Sequence, residues 1–204
     1  NSVIDIQTNQ SIQTAGLTEV HGASSHANLV TGTKLTVLEG GIVAGRDDYD
    51  LLTLDAGTTV AINPGGAVTA GARFDDVNGT PVAVQTGVGA AAILNSPHEL
   101  FIGGTVTTSD QMLLNAGTPQ FDHTAYFNGL ADVDPQHPLI GHSQYGILLT
   151  GTLTSLAANT TLQLKSNADV ISRGNINVFG TNSDLLIQSG RFVYLEGFTD
   201  VRRN

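Results

Sequence analysis

The stretch from Gly174 to Phe198 reads GNINVFGTNSDLLIQSGRFVYLEGF. Apolar residues alternate with polar ones, and small or Asn-rich turns interrupt them every five to eight residues. A period of two places successive side chains on opposite faces, which is the pattern of a half-buried strand and not of a helix. The same grammar recurs at KLTVL (Lys34 to Leu38), LLTL (Leu51 to Leu54), TVAI (Thr59 to Ile62) and TPVAV (Thr80 to Val84). It returns at LFI (Leu100 to Ile102), QMLL (Gln111 to Leu114), ILLT (Ile147 to Thr150), TLQL (Thr161 to Leu164) and DVI (Asp169 to Ile171). Each run is followed within three residues by Gly, Asn, Asp or Ser, as short strands are. No segment carries an amphipathic helical stripe over eleven or more residues; GVGAAAILNSPHELF (Gly87 to Phe101) holds at most one helical turn.

Corners repeat as well as strands. SIQTAGLTEV, LTLDAGTTV, LLNAGTPQF and LIQSGRFVYL share one plan, with Gly16, Gly57, Gly117 and Gly190 at the turn. Strand starts near Ile147, Thr161, Asn175 and Arg191 are 14 to 16 residues apart. Units that cannot bury an apolar face alone and recur in this way stack as a solenoid. The alternative is an antiparallel β-sandwich, which also uses short alternating strands. On the solenoid reading, residues 1–116 are degenerate rungs, 117–146 a loop-rich insertion and 147–204 regular rungs. The stretch from Gly71 to Gly79 (GARFDDVNG) also breaks the rhythm.

Composition narrows the function. Of the 18 acidic residues 14 are Asp, whereas Lys and Arg together number 8, for a formal net charge of -10. Nucleic-acid binding needs clustered cations, so that partner is excluded, and docking on an anionic membrane is disfavoured for the same reason. No apolar run is long enough for a membrane-spanning helix. Without cysteine there is no disulfide framework, thiolate metal site or Cys nucleophile. A chain that begins at Asn1 is read as a mature product or a piece of a longer protein.

The candidate metal ligands are aspartates. Asp47, Asp48 and Asp50 lie in one acidic run, and Asp75 and Asp76 in a second. Ca²⁺ takes six to eight oxygens, which closely spaced Asp and backbone carbonyls supply. The competing reading is that these aspartates cap turn amides. The histidines His123, His137 and His142 are spaced 14 and 5 apart, and His21 and His26 are 5 apart. None forms the close pair usual in zinc sites, so they read as ordinary histidines. Polysaccharide cleavage would need paired carboxylates on adjacent rungs, and Asp110, Asp169 and Asp184 are acids at turns next to strands that could form such a pair. Arg173 and Arg191 are the cations nearest such a groove. Tyr126, Phe127, Phe192, Tyr194 and Phe198 are the candidates for sugar stacking or for an end cap. No nucleophile elbow, phosphate loop or dinucleotide fingerprint is present.

The segment ILLTGTLTSLAANTTLQLKSNADVISRGNINVFGTNSDLLIQSG, from Ile147 onward, resembles the repeat regions of large exported bacterial adhesins, the filamentous-haemagglutinin-like and haemolysin-type proteins. The likeness extends loosely over TVTTSDQMLLNAG and LLTLDAGTTVAI. It implies a right-handed parallel β-helix, export to the bacterial cell surface, and a structural, adhesive or fibre role in place of catalysis. The expected partners are further copies or neighbouring repeats, and surface glycans. The long insertion departs from the plain repeat and is the expected contact region. A calcium-dependent carbohydrate-binding sandwich and a polysaccharide-cleaving β-helix enzyme are the rival functions.

Overall fold

The alternating pattern folds into a three-sided coil. The computed structural model describes residues 1–77, 80–117 and 146–202. Rung 1 is β1 (Val3–Thr8), β2 (Ile12–Thr14) and β3 (Leu17–Val20); rung 2 is β4 (His26–Thr31), β5 (Lys34–Val37) and β6 (Ile42–Gly45). Rung 3 is β7 (Leu51–Ala56), β8 (Thr59–Ile62) and β9 (Ala67–Ala70). A hairpin, β10 (Ala72–Val77) and β11 (Thr80–Gln85), precedes rung 4, which is β12 (Ala91–Ser96), β13 (Glu99–Ile102) and β14 (Thr105–Thr108). Rung 5 is β15 (Met112–Ala116), β16 (Ile147–Leu149) and β17 (Thr152–Ser155). Rung 6 is β18 (Thr161–Ser166), β19 (Val170–Ser172) and β20 (Asn175–Val178), and rung 7 is β21 (Asp184–Ser189), β22 (Val193–Leu195) and β23 (Thr199–Val201).

The first strands of all seven rungs form sheet A, the second strands sheet B and the third strands sheet C, each a seven-stranded parallel ladder. The chain is therefore a right-handed parallel β-helix. The sandwich alternative falls because its strands would pair antiparallel. Among the described residues the antiparallel pairing is that of β10 with β11, a local hairpin.

The repeat differs from the 14-to-16 spacing read in the sequence. Val3 pairs with His26, His26 with Leu51, and Thr161 with Asp184, so plain turns take 23 to 25 residues and three strands. Ile147, Thr161 and Asn175 begin strands of three different sheets and are not equivalent positions. The hairpin lies between sheets C and A of successive rungs, and the gap between β15 and β16 lies between sheets A and B of rung 5. The interior of the expected 117–146 insertion is outside the described residues.

Inward positions make aliphatic columns. Leu29, Leu54, Leu94, Leu114 and Leu164 are consecutive partners in sheet A, and all are fully buried. Val60, Leu100 and Ile147 do the same in sheet B, and Val43, Val68, Val106 and Leu153 in sheet C. Each such side chain contributes about 1.5–3 kcal/mol by leaving water. The stretch GVGAAAILNSPHELF, considered for a helical turn, supplies β12 and most of β13 instead.

Sheet C begins at a glycine in every rung: Gly16, Gly41, Gly66, Gly104, Gly151, Gly174 and Gly197 occupy one column. A β-carbon on Gly104, Gly151, Gly174 or Gly197 would collide with the carbonyl oxygen of the glycine one rung below. That close approach lets the next amide reach the same carbonyl, as in Asn175 N–H to Gly151 O at 2.9 Å and Thr152 N–H to Gly104 O at 2.9 Å.

Candidate functional site

Of the predicted ligand aspartates, Asp47, Asp48 and Asp50 sit where sheet C turns into sheet A, and each accepts at least one backbone amide. Asp50 is fully buried; its Oδ1 accepts the Ser25 amide at 2.8 Å and its Oδ2 the Asp47 amide at 2.9 Å. Asp47 Oδ2 accepts the Gly22 amide at 2.6 Å, and Asp48 Oδ1 the Val88 amide at 2.9 Å. These bonds tie rung 2 to the turns below and above it. The corner repeats the device with other side chains: Ser2 N–H donates to Ser25 Oγ at 2.8 Å, Ala90 N–H to Ser109 Oγ at 3.2 Å and Thr160 N–H to Ser183 Oγ at 3.1 Å. Just before that position Ser24, Tyr49, Asn159 and Asn182 take a left-handed conformation, with φ between 55° and 61°. The turns are thus built alike, and a short side-chain oxygen closes each on its neighbour.

The second acidic pair is split. Asp75, in the hairpin, is held by Arg73 through Nε to Oδ1 at 2.8 Å and a guanidinium nitrogen to Oδ2 at 3.2 Å. The side chain of Asp76 lies outside the described residues. Among the described residues, no group of three or more His, Asp or Glu side chains is placed to hold a metal ion.

The acids and cations considered for catalysis are dispersed. Asp110 stands at the turn from sheet C into β15, and burial pushes its carboxyl above the ordinary range. Asp169 lies at the turn from sheet A into sheet B, in a buried pair with Arg191 at 3.0 Å. Asp184 opens β21 and is exposed. Arg173 pairs with Glu196 at 2.9 Å on the surface. His21 Nε2 lies 3.1 Å from Glu19 Oε2, and Arg46 pairs with the same carboxylate. Phe192, Tyr194 and Phe198 are all exposed on rung 7, together with Val193, Leu195 and Val201. His123, His137, His142, Tyr126 and Phe127 lie outside the described residues.

One surface was not singled out by sequence reasoning. On the outward face of sheet A, beside the turn into sheet B, Gln7, Val30, Asp55, Asn95, Asn115, Lys165 and Gln188 are consecutive register partners. Two cavities lie along this column. One of about 330 Å³ is lined by Gln7, Asn9, Val30 and Gly32, and one of about 520 Å³ by Asp55, Gly57, Asn95, Pro97, Asn115 and Lys165. Asn115 Nδ2 donates to Asn95 Oδ1 at 2.9 Å across the rungs. Burial pushes the Asp55 carboxyl above its ordinary range.

The chain matches no protein family, no curated protein and no solved structure among those compared.

Proposed function

We propose that this chain is a structural and adhesive module of a bacterial surface protein, exported from the cell and working through its outer faces. The observation that carries the reading is the unbroken register of seven rungs in all three sheets. It makes a stiff rod on which each outward residue stands in a column with a rung spacing of about 4.8 Å. A rod of this kind presents the same chemistry repeatedly along its length, which suits multivalent attachment. The likeness of residues 147–198 to adhesin repeats supports the same reading.

Rung 7 supplies the means of self-association. Among the described residues its strands have a neighbour on one side, and Phe192, Val193, Tyr194, Leu195 and Phe198 are exposed. Unpaired strand edges with apolar side chains are templates for further pairing. The module therefore joins neighbouring repeats or further copies end to end, and it binds surface glycans along its sides. Its strongly acidic surface leaves nucleic acid and anionic membrane outside the proposed partners.

Two measurements test this. Beads coated with the chain are expected to adhere to glycan-coated surfaces more strongly than albumin-coated beads; equal adherence on every glycan tested would remove the adhesive role. Sedimentation velocity is expected to show concentration-dependent growth at micromolar concentration. A single monomeric boundary throughout would remove the end-to-end association.

A further inference from the structure

The two cavities on the outward face of sheet A follow one register column and make up a furrow. The register partners Gln7, Val30, Asp55, Asn95, Asn115 and Lys165 run through both, from rung 1 to rung 6. The furrow exists because the turn beside it cannot carry bulk. A β-carbon on Gly57 would collide with the Gly32 carbonyl, and one on Gly32 would stand 2.8 Å from the Asn9 carbonyl oxygen. Ala56 and Ala116 add only methyl groups to the lining of the larger cavity.

We infer that this furrow binds a neutral, extended polysaccharide lying along the solenoid axis. The inference rests on the adhesive reading above and assigns its ligand class and its site. Four features select this ligand. The backbone groups of sheet A are spent on the parallel ladders, so recognition falls to side chains. Those side chains are two amides on adjacent rungs, with a carboxylate one rung below and an ammonium one rung above. Amides and carboxylates, as donors and acceptors, match vicinal hydroxyl groups. One negative and one positive group at opposite ends of the larger cavity leave it without net charge, which favours a neutral polymer over an anionic one.

The fourth feature is the repeat. Rungs recur about every 4.8 Å, close to the length of one pyranose unit in an extended chain. A polymer of sugars therefore offers hydroxyl groups at nearly the spacing of the rungs. An extended peptide would instead seek an open strand edge for main-chain pairing, together with apolar pockets. The larger cavity lies on a sheet face whose strands β7, β12, β15 and β18 are each paired on both sides, so it offers no open edge.

The test titrates the intact chain with linear neutral oligosaccharides of about six units, of glucose, xylose, mannose and N-acetylglucosamine, followed by calorimetry. At least one is expected to bind. The double substitution Asn95→Ala with Asn115→Ala is expected to weaken it about tenfold or more, the size expected for losing one to two hydrogen bonds. Asn177→Ala, on sheet C, is expected to leave it unchanged, and Lys165→Met serves as a second furrow variant on an exposed side chain. Failure of all four sugars to bind, or binding indifferent to both furrow variants, overturns the inference. So does displacement of the sugar by an extended peptide at lower concentration. If beads coated with the furrow variants adhere to glycan surfaces as well as the unaltered chain does, the furrow falls while the adhesive module stands.

Discussion

Asp50 Oδ1 accepts the backbone amide of Ser25 across one rung at 2.8 Å, while its other oxygen takes the Asp47 amide at 2.9 Å. The side chain is fully buried and the bond from Ser25 lies away from water, while that from Asp47 is part-buried, so removing the carboxylate strands at least the Ser25 amide. Asp50→Ala is expected to cost about 2–4 kcal/mol, since each buried donor left unpaired costs about 1–3 kcal/mol. Asp50→Ser keeps one short acceptor, the type used at Ser25 and Ser183, and is expected to cost less. Urea unfolding of the two variants checks the order; equal losses would show that the amide bonds contribute little.

The same geometry bears on calcium. Asp47, Asp48 and Asp50 already accept amides at 2.6 to 2.9 Å, so recruiting them as ligands would break three bonds between turns. Thermal unfolding of a chelator-stripped sample is expected to be unmoved by millimolar Ca²⁺. A rise of several degrees would place the ion in the native state by linkage, and the aspartates would then serve as ligands.

Asn175 N–H reaches the Gly151 carbonyl at 2.9 Å because Gly174 has no β-carbon to hold that carbonyl away. Gly174→Ala is expected to cost about 1–3 kcal/mol or more, the range for overpacking. Gly16, in the terminal rung of the same column, has nothing within 4 Å of an added β-carbon. Gly16→Ala is therefore expected to be neutral or slightly stabilising, because alanine restricts the unfolded chain. Chemical denaturation of the two variants separates them, and a Gly174→Ala variant as stable as the unaltered chain would refute the close-packing account.

Much of this architecture is legible in the amino-acid order. Leu52 and Leu54, or Leu162 and Leu164, alternate with polar neighbours because one face of each strand is buried. Gly57, Gly117 and Gly190, noticed as similar corners, do stand in equivalent turns after sheet A, whereas Gly16 belongs to the column before sheet C. That column was hidden by interruptions. Its members are 25, 25, 38, 47, 23 and 23 residues apart, the hairpin and the gap after β15 stretching the two middle intervals. A spacing of 23 to 25, once noticed, would have given the rung length directly. The furrow was illegible for a different reason. Asp55, Asn95 and Asn115 look like turn residues closing their strands, and only the register stacks them. The aspartates of the 47–50 turn read equally as ligands or caps, because the amides they meet at Gly22, Ser25 and Val88 lie in other turns.

Burial raises the carboxyl pKa of Asp55 and of Asp110 above the ordinary 3.8, and that of Glu99 above 4.5, with Lys34 partly offsetting the last. For an acid raised in the folded state, the native chain binds its proton more tightly than the unfolded chain does. Below the ordinary carboxylate range both states are protonated and these groups are neutral to stability. As pH rises through that range the unfolded chain ionises first, so each group lowers stability, and the penalty is complete above its folded pKa. Asp55→Asn is therefore expected to raise the melting temperature at neutral pH and to leave it unchanged in acid. A difference that is constant across pH would assign the effect to something other than ionisation.

The pair of Asp169 with Arg191 joins rung 6 to rung 7 at 3.0 Å, with side chains only 4 % and 2 % exposed. The Arg191 guanidinium also lies over the Phe192 ring at 5.2 Å. Removing one partner strands the other charge away from water, which typically costs about 3–5 kcal/mol, whereas replacing both by apolar residues of similar size is often near neutral. Asp169→Ala is thus expected to destabilise strongly, and Asp169→Leu with Arg191→Met to recover most of the loss. Among the described residues rung 7 has strands on one side only, so the damage should concentrate there. Hydrogen exchange in Asp169→Ala is expected to lose protection first in β21 and β22, with the Leu54–Leu94–Leu114 column still closed. Uniform loss through all seven rungs would mean that the pair stabilises the whole solenoid and not its terminal rung.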